Sequence, residues 1–269
     1  MGSDDILTRS APPADARIHY GTDEWQFGDL RLPSGAGPHP LVIGIHGGYW
    51  RARYGLEHFG HACAALTAEG YATWNIEYRR IGNTGGGWPG TLLDMARAAD
   101  YARTLAESYP LDLSRVVTVG HSAGGHCACW LAGRRRIAAD SAVYVDDPLP
   151  LRGAMALAGA LDLRRAWELR LSEGVVGDFL GGTPEEYPDR YDAASPFALL
   201  PLAVRQTLVH GTADEDVPYG MSAEYAARAR ELGDAVELVT LPDVGHFELI
   251  DPQAKEWAAV VEAVRQMVG

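Results

Sequence analysis

Three side chains that lie far apart in the sequence could together carry out acyl transfer. Ser122 sits in VVTVGHSAGG (116–125), where an apolar β-branched run gives way to a turn of small residues in the pattern G-x-S-x-G. A serine hydroxyl is a poor nucleophile at neutral pH. A neighbouring base must take its proton, and a third group must orient that base. The stretch LVHGTADEDVP offers Asp214, Glu215 and Asp216 in a turn after the run Leu208-Val209, and LPDVGHFELI offers His246 after a run ending near Leu241. Ser122 also admits a second reading, as the cap of a helix whose first N–H groups need an acceptor. Capping requires neither a distant acid nor a histidine, so the placement of all three groups after apolar runs favours the nucleophile. Spacing alone does not separate Asp214 from Asp216.

A tetrahedral intermediate also needs N–H donors for its oxyanion. HGGYW (46–50) directly follows the apolar run LVIGI, and its glycines let the main chain approach a substrate closely. The expected donors are the backbone groups of Gly48 and Tyr49, with Ala123 after the nucleophile. Trp50 and Trp88 adjoin glycine-rich loops and are expected to wall the substrate pocket, with a purely structural role as the rival reading. His46 is expected to fix the loop by hydrogen bonding rather than to act as a base. His58 and His61 stand three apart, as a helical metal pair would, but no further ligands cluster beside them, and no metal or cofactor is expected. His121 and His126 are expected to pack, and Arg79 and Arg80 to pair with Glu77 or an aspartate.

These groups need elements that bring them together. Short apolar runs alternate with helix-period segments, which predicts an α/β protein with a mostly parallel central sheet of about eight strands and helices on both faces. Strands are expected over 16–20, 24–32, 41–45, 71–77, 116–119, 153–158, 207–210 and 236–241, the first two antiparallel because their connection is too short for a crossover. Helices are expected over 55–69, 90–108 and 123–133. A last helix is expected to open at Asp251-Pro252, an N-cap followed by proline at the first helical position. The segment of about 163–194 exceeds a normal crossover and is expected to be a cap insertion in a single domain spanning 1–269.

Composition limits the partners. With 269 residues and 47% hydrophobic content the chain can fill a sizeable core, which excludes a disordered protein. A net charge of −13 excludes nucleic acid and anionic membrane surfaces as natural partners. Arg134-Arg135-Arg136 is the one basic cluster and is expected to meet the negative end of a helix. No apolar run approaches the ~20 residues that span a bilayer, and the N-terminus lacks the basic and apolar regions of a secretory signal, so a soluble, cytoplasmic protein is expected. Cys63, Cys127 and Cys129 form no C-x-x-C pair and are expected to be buried reduced thiols. The oligomeric state, a homodimer included, is left open.

Taken in order, HGGYW, GHSAGG, HGTADEDVP and GHFELI resemble the α/β-hydrolase superfamily from about residue 17 to 268. Within it the chain is similar to the arylformamidase (kynurenine formamidase) and small carboxylesterase branch. The H-G-T-x-D segment is similar to that of prolyl-oligopeptidase-type peptidases and favours Asp214 over Asp216. The resemblance implies an α/β-hydrolase fold and a metal-independent serine hydrolase in which Ser122 attacks, His246 shuttles the proton and Asp214 orients the imidazole. The substrate it implies is a small carboxylic ester or an aryl formamide or amide. Two rival readings remain: a peptidase, against which the lack of a propeller before the hydrolase segment counts, and a ligand-binding homologue without turnover.

Overall fold

The computed structural model describes residues 3–269. Its strands are β1 (Ala16–His19), β2 (Phe27–Arg31), β3 (His39–Ile45), β4 (Ala72–Ile76), β5 (Leu111–His121), β6 (Gly153–Leu157), β7 (Arg205–Gly211) and β8 (Val236–Leu241). The helices are α1 (Gly60–Ala68), α2 (Gly90–Asp100), α3 (Ala102–Ala106), α4 (Ala123–Gly133), α5 (Leu163–Glu168), α6 (Leu171–Leu180), α7 (Pro188–Ala194), α8 (Gly220–Glu231) and α9 (Trp257–Val268). The strands form one eight-stranded sheet in the order β1-β2-β4-β3-β5-β6-β7-β8. The pairs β1/β2 and β2/β4 are antiparallel, and every later pair is parallel.

Alternation along the strands divides the core into two layers. Leu41, Ile43 and Ile45 of β3 point to one face, in the core layer that also holds Met95 and Ala99 of α2, Cys127 and Ala128 of α4, and Tyr225 and Ala229 of α8. Val42 points to the other face with Val117 and Val119 of β5, under Cys63 and Leu66 of α1 and Val260 and Val264 of α9. Each fully buried Leu or Val of this kind contributes about 1.5–3 kcal/mol relative to exposure. β3 has β4 on one side and β5 on the other, so the direction of winding reverses there. The helices that follow β3 and β5, α1 and α4, lie on opposite faces of the sheet, and the carboxyl edge at such a switch point is where ligands of open α/β sheets bind.

Several boundaries differ from the sequence expectation. The strand before Ser122 starts at Leu111, because Leu111 pairs with His39 before a bulge interrupts the β3/β5 register. The helix expected over 90–108 divides at Tyr101, whose backbone stays right-handed so that α3 continues the path of α2. The last helix starts at Trp257 rather than at Pro252. Asp251 caps no helix. Its Oδ1 accepts the Gln253 N–H at 2.9 Å in a turn, and the Arg9 guanidinium at 2.7 Å. Between β6 and β7 lie the three short helices α5, α6 and α7, with the Asp162 side chain capping the first by accepting the Arg164 and Arg165 N–H groups. All three cysteines are free and buried, and burial pushes each thiol up to about 12. Among the described residues no helix is long and apolar enough to cross a membrane.

The arginine cluster contributes an internal ion pair. Arg134, buried at the end of α4, donates two parallel bonds of 2.8 Å to the Asp100 carboxylate at the end of α2. Its Nε also donates to the Leu131 carbonyl at 3.3 Å, at the negative end of α4. Asp100 Oδ1 accepts the Leu149 N–H as well, at 2.8 Å. Removing one partner of such a pair leaves a buried charge uncompensated. Asp100→Ala is expected to lower unfolding stability by about 3–5 kcal/mol in urea titration, and a loss below about 1 kcal/mol would contradict this account.

Candidate active site

Four loops meet at the carboxyl edge of the sheet. They follow β3, β5, β7 and β8, and they carry His46–Trp50, Ser122, Asp214 and His246. Ser122 has φ 56° and ψ −120°, a strained left-handed conformation for a residue with a Cβ. It occupies the position before α4, yet its hydroxyl makes no capping bond. The strain is held by close backbone packing. A Cβ on Gly124 would lie 2.2 Å from the Ile45 carbonyl oxygen, and one on Gly47 would lie 3.0 Å from Ser122 Cβ. Only glycine lets the two loops touch.

Ser122 and His246 line one small cavity of about 50 Å³, together with Leu7, Gly48, Tyr49, Tyr54, His58, His121, Asp216 and Phe247. His246 Nδ1 faces Asp214 Oδ2 at 2.6 Å. A carboxylate accepts, so Nδ1 carries the proton and Nε2 is left with a free lone pair. The Asp214 side chain is fully buried. Its Oδ1 accepts the N–H groups of Asp216 and Val217 at 2.9 and 2.8 Å, and its Oδ2 lies 3.2 Å from His210 Nε2. Burial alone would raise the Asp214 pKa. Bonds from His210, His246 and the backbone outweigh it and hold the carboxyl well below the usual carboxylate range.

Asp216 is placed differently. Its carboxylate Oδ1 accepts the Tyr49 hydroxyl at 3.2 Å, and its backbone carbonyl accepts the same hydroxyl at 3.1 Å. Burial, followed by the Asp216 charge and bond, pushes the Tyr49 phenol well above its ordinary value, so it remains a donor at any working pH. Ligand-capable atoms of Asp214, Asp216 and His246 lie within 4.8 Å of one another. Asp214 already has four donors around it and His246 Nδ1 is turned to it, so this set suits a hydrogen-bonded pair better than a metal ion.

Gly48, Tyr49 and Trp50 all have positive φ, at 113°, 53° and 55°. Among the described residues the N–H groups of Gly48, Tyr49 and Ala123 donate to no protein acceptor, and Gly48 and Tyr49 line the cavity. His46 anchors the loop from below. Its Nδ1 lies 2.8 Å from the Gly47 carbonyl, and its Nε2 lies 3.0 Å from Glu77 Oε1. Glu77 is itself buried at the end of β4, where it also accepts the Leu56 and Tyr78 N–H groups and pairs with buried Arg80 at 3.4 Å. Burial would raise the Glu77 pKa, but the neighbouring His46 and Arg80 hold it below the ordinary value. Arg79 pairs with Asp94 through two bonds of 2.8 Å.

The two tryptophans expected at the pocket are elsewhere. Trp50 is 1% exposed and stacks on Phe179 of α6 with ring centroids 4.6 Å apart. The left-handed backbone sends Tyr49 toward the cavity and Trp50 into the core, a reversal that residue spacing does not show. Trp88 lines a separate surface groove of about 540 Å³ with Arg136, Asp189 and Arg190. Its N–H donates to the Phe179 carbonyl at 2.8 Å, so its loop is tied to α6 rather than to Ser122. Sequence reasoning missed Tyr54 as a lining residue and gave His58 only a metal role. His58 is buried in the cavity wall while His61 Nε2 lies 3.2 Å from the Arg9 carbonyl. His121 also lines the cavity, its ring centroid 4.4 Å from that of His246 and its Nε2 donating to the His246 carbonyl at 3.0 Å. No sequence signal marked these positions beyond their proximity to HGGYW and to Ser122.

Fold and loop placement define the class of protein, an α/β-hydrolase of the esterase and formamidase branch. The BD-FAE family model matches residues 29–228, more than half of the chain. The chain belongs to the BD-FAE family. It is 24% identical over 94% of its length to the kynurenine formamidase of Danio rerio, of which it spans 81%. A truncated carbohydrate esterase from gut microbiota superposes with a TM-score of 0.81 at 20% identity, with 97% of this chain and 99% of that one covered. A propionate-bound esterase of Thermogutta terrifontis superposes at 0.75 and 21% identity, with 94% and 93% covered. These two likenesses speak for the fold.

Buried neutral histidines make the protein acid-sensitive. Burial pulls His58 down to about 3, helped by its neighbour His46, and His126 down to about 4. Both folded values lie below the ordinary one, so the unfolded chain binds more protons as the pH falls. Their contribution to stability is complete above about pH 6.5 and declines below it, on the order of 1.4 kcal/mol per pH unit for each group. Urea titrations from pH 7.5 to 4.5 are expected to show this decline starting near pH 6.5. Stability that is flat down to pH 5 would contradict it.

Proposed function

We propose that the protein is a metal-independent serine hydrolase that cleaves a small carboxylic ester or an aryl formamide through an acyl-enzyme. The observation that carries this reading is a strained serine lining one cavity with a histidine whose far nitrogen is fixed by a buried carboxylate at 2.6 Å. In this mechanism His246 Nε2 takes the Ser122 hydroxyl proton while Oγ attacks the carbonyl carbon. The Asp214 charge stabilises the imidazolium that forms. The oxyanion is bound by the N–H groups of Gly48, Tyr49 and Ala123, which are preorganised because no protein acceptor claims them. The His246 proton passes to the leaving oxygen or nitrogen as its bond to carbon breaks. A water then repeats the sequence and releases the acid.

The cavity supports a short acyl group. The cavity beside Ser122 is small, about 50 Å³, which favours formyl or acetyl over a long acyl chain. Residues 163–194 serve in this reading as a cap within a single domain. Phe179 packs on Trp50 and bonds Trp88 N–H, so the segment is braced against the loop that carries the oxyanion donors. Kinship with a kynurenine formamidase supports the formamide as one substrate class.

One panel tests the reading: N-formylkynurenine, p-nitrophenyl esters of increasing acyl length, and a proline peptide. Ser122→Ala is expected to lower kcat/KM by at least ~10⁴-fold and Asp214→Asn by ~10³–10⁴-fold. Equal rates for wild type and Ser122→Ala on every substrate would end the proposal. Preference for the peptide over the esters would replace it with a peptidase. Along the ester series, hexanoyl is expected to react at least ~10-fold more slowly than acetyl, the order of discrimination that a few methylenes carry in a confined pocket.

A further inference from the structure

We propose that Asp216 is a specificity-determining residue that recognises a positively charged, ammonium-bearing leaving group beside the reacting carbonyl. This inference rests on the hydrolase reading above and names the substrate class of that same cavity. Asp216 lines the cavity with Ser122 and His246, and one of its oxygens lies within 4.8 Å of a ring nitrogen of His246 and of an Asp214 oxygen. Unlike Asp214, it does not bond to His246. Among the described residues its side chain has a single partner, the Tyr49 hydroxyl on Oδ1, so Oδ2 has none. A carboxylate with an unused oxygen next to a reaction centre attracts cations and repels anions.

The rest of the wall points to the same chemistry. Tyr49, Tyr54 and Phe247 are aromatic residues of the lining, and among the described residues no lysine or arginine lines the cavity. Aromatic faces combined with a carboxylate are the recognition chemistry of ammonium groups, quaternary ones included. A substrate carboxylate would find no cationic partner there. The Arg53 guanidinium lies 4.7 Å from the Tyr54 ring centroid but is not part of the lining. His58, held neutral by burial, adds no positive charge. The chain's net charge of −13 draws cations toward the protein as a whole, and Asp216 turns that attraction into selection at the site.

Asp216 thereby gains a role separate from the His246 partner. Its backbone N–H supports Asp214 Oδ1 and its backbone carbonyl takes the Tyr49 hydroxyl, so the turn survives a change of its side chain. An isosteric pair of esters with the same acyl group reads the charge directly: the acetate ester of choline, a fixed cation, and 3,3-dimethylbutyl acetate, its neutral counterpart. The wild type is expected to favour the choline ester in kcat/KM by about tenfold or more at low ionic strength, about 1.4 kcal/mol. Asp216→Asn is expected to bring this ratio close to one, and Asp216→Glu to keep a preference for the cation. Raising the salt concentration should compress the wild-type ratio.

A wild-type ratio near one, or a ratio that Asp216→Asn leaves unchanged, would overturn the proposal. Dissociation constants for the two esters measured on Ser122→Ala, with and without Asp216→Asn, give the same ratio without turnover. Absence of hydrolysis by the wild type together with no labelling of Ser122 by a fluorophosphonate would defeat the hydrolase reading. The binding ratio on Ser122→Ala would still decide whether Asp216 selects a cation.

Discussion

The site depends on one close contact, the passage of the β5–α4 turn under the loop that leaves β3. Gly124 meets the carbonyls of Ile45 and His46, and Gly47 meets Ser122 and the His121 carbonyl, at separations that exclude any Cβ. That contact forces Ser122 into the left-handed region and keeps its hydroxyl clear of the helix it precedes. A strain of about 1–3 kcal/mol at such a residue persists only where the surroundings over-determine it. Here the surroundings are the five parallel β3/β5 pairings that follow the bulge on one side and the first turn of α4 on the other. The strained turn and the HGGYW loop are therefore one packed unit.

Buried carboxylates hold the remaining loops to this unit. Glu77 fixes His46 and thus the start of HGGYW, and it also accepts the Leu56 N–H at the entrance to the segment that brings His58 into the wall. Asp214 fixes His246 and closes its own turn through two backbone N–H groups. Each acid is surrounded by enough donors to remain ionised despite burial, which is why both lie below their ordinary values. The arrangement relies on hydrogen-bond saturation, since a half-satisfied buried charge costs several kcal/mol. Tyr49 joins the two halves, with its backbone in the first loop and its hydroxyl on the Asp216 turn.

Much of this was legible in the residues. The alternation of apolar runs and helix-period segments specified the parallel sheet, because burial on both faces demands apolar side chains at successive strand positions. The order of HGGYW, GHSAGG, HGTADEDVP and GHFELI placed the chemical groups at strand ends. Boundaries fared less well at the last helix, where Asp251 serves a turn and an ion pair with Arg9, 242 residues away in sequence. The tryptophans show the same limit more sharply. Trp50 and Tyr49 are neighbours in a glycine-rich loop with nearly the same φ, and only the packing of Trp50 on Phe179 and of Tyr49 on the Asp216 turn decides which of them faces the cavity.

The sequence by itself determined the fold class, the candidate nucleophile and base, and the set of acids from which a partner had to come. Those follow from side-chain chemistry and from periodicities of two and 3.6 residues, both local properties of the chain. Asp214 meets His246 as the resemblance implied, while tertiary structure alone decided that Asp216 meets Tyr49, that Trp50 is core, and that Tyr54, His58 and His121 line the cavity. These outcomes depend on which loops touch across the switch point of the sheet. Contacts of that kind depend on backbone direction over a few residues, and they are fixed only when distant glycines and buried carboxylates bring the loops into register.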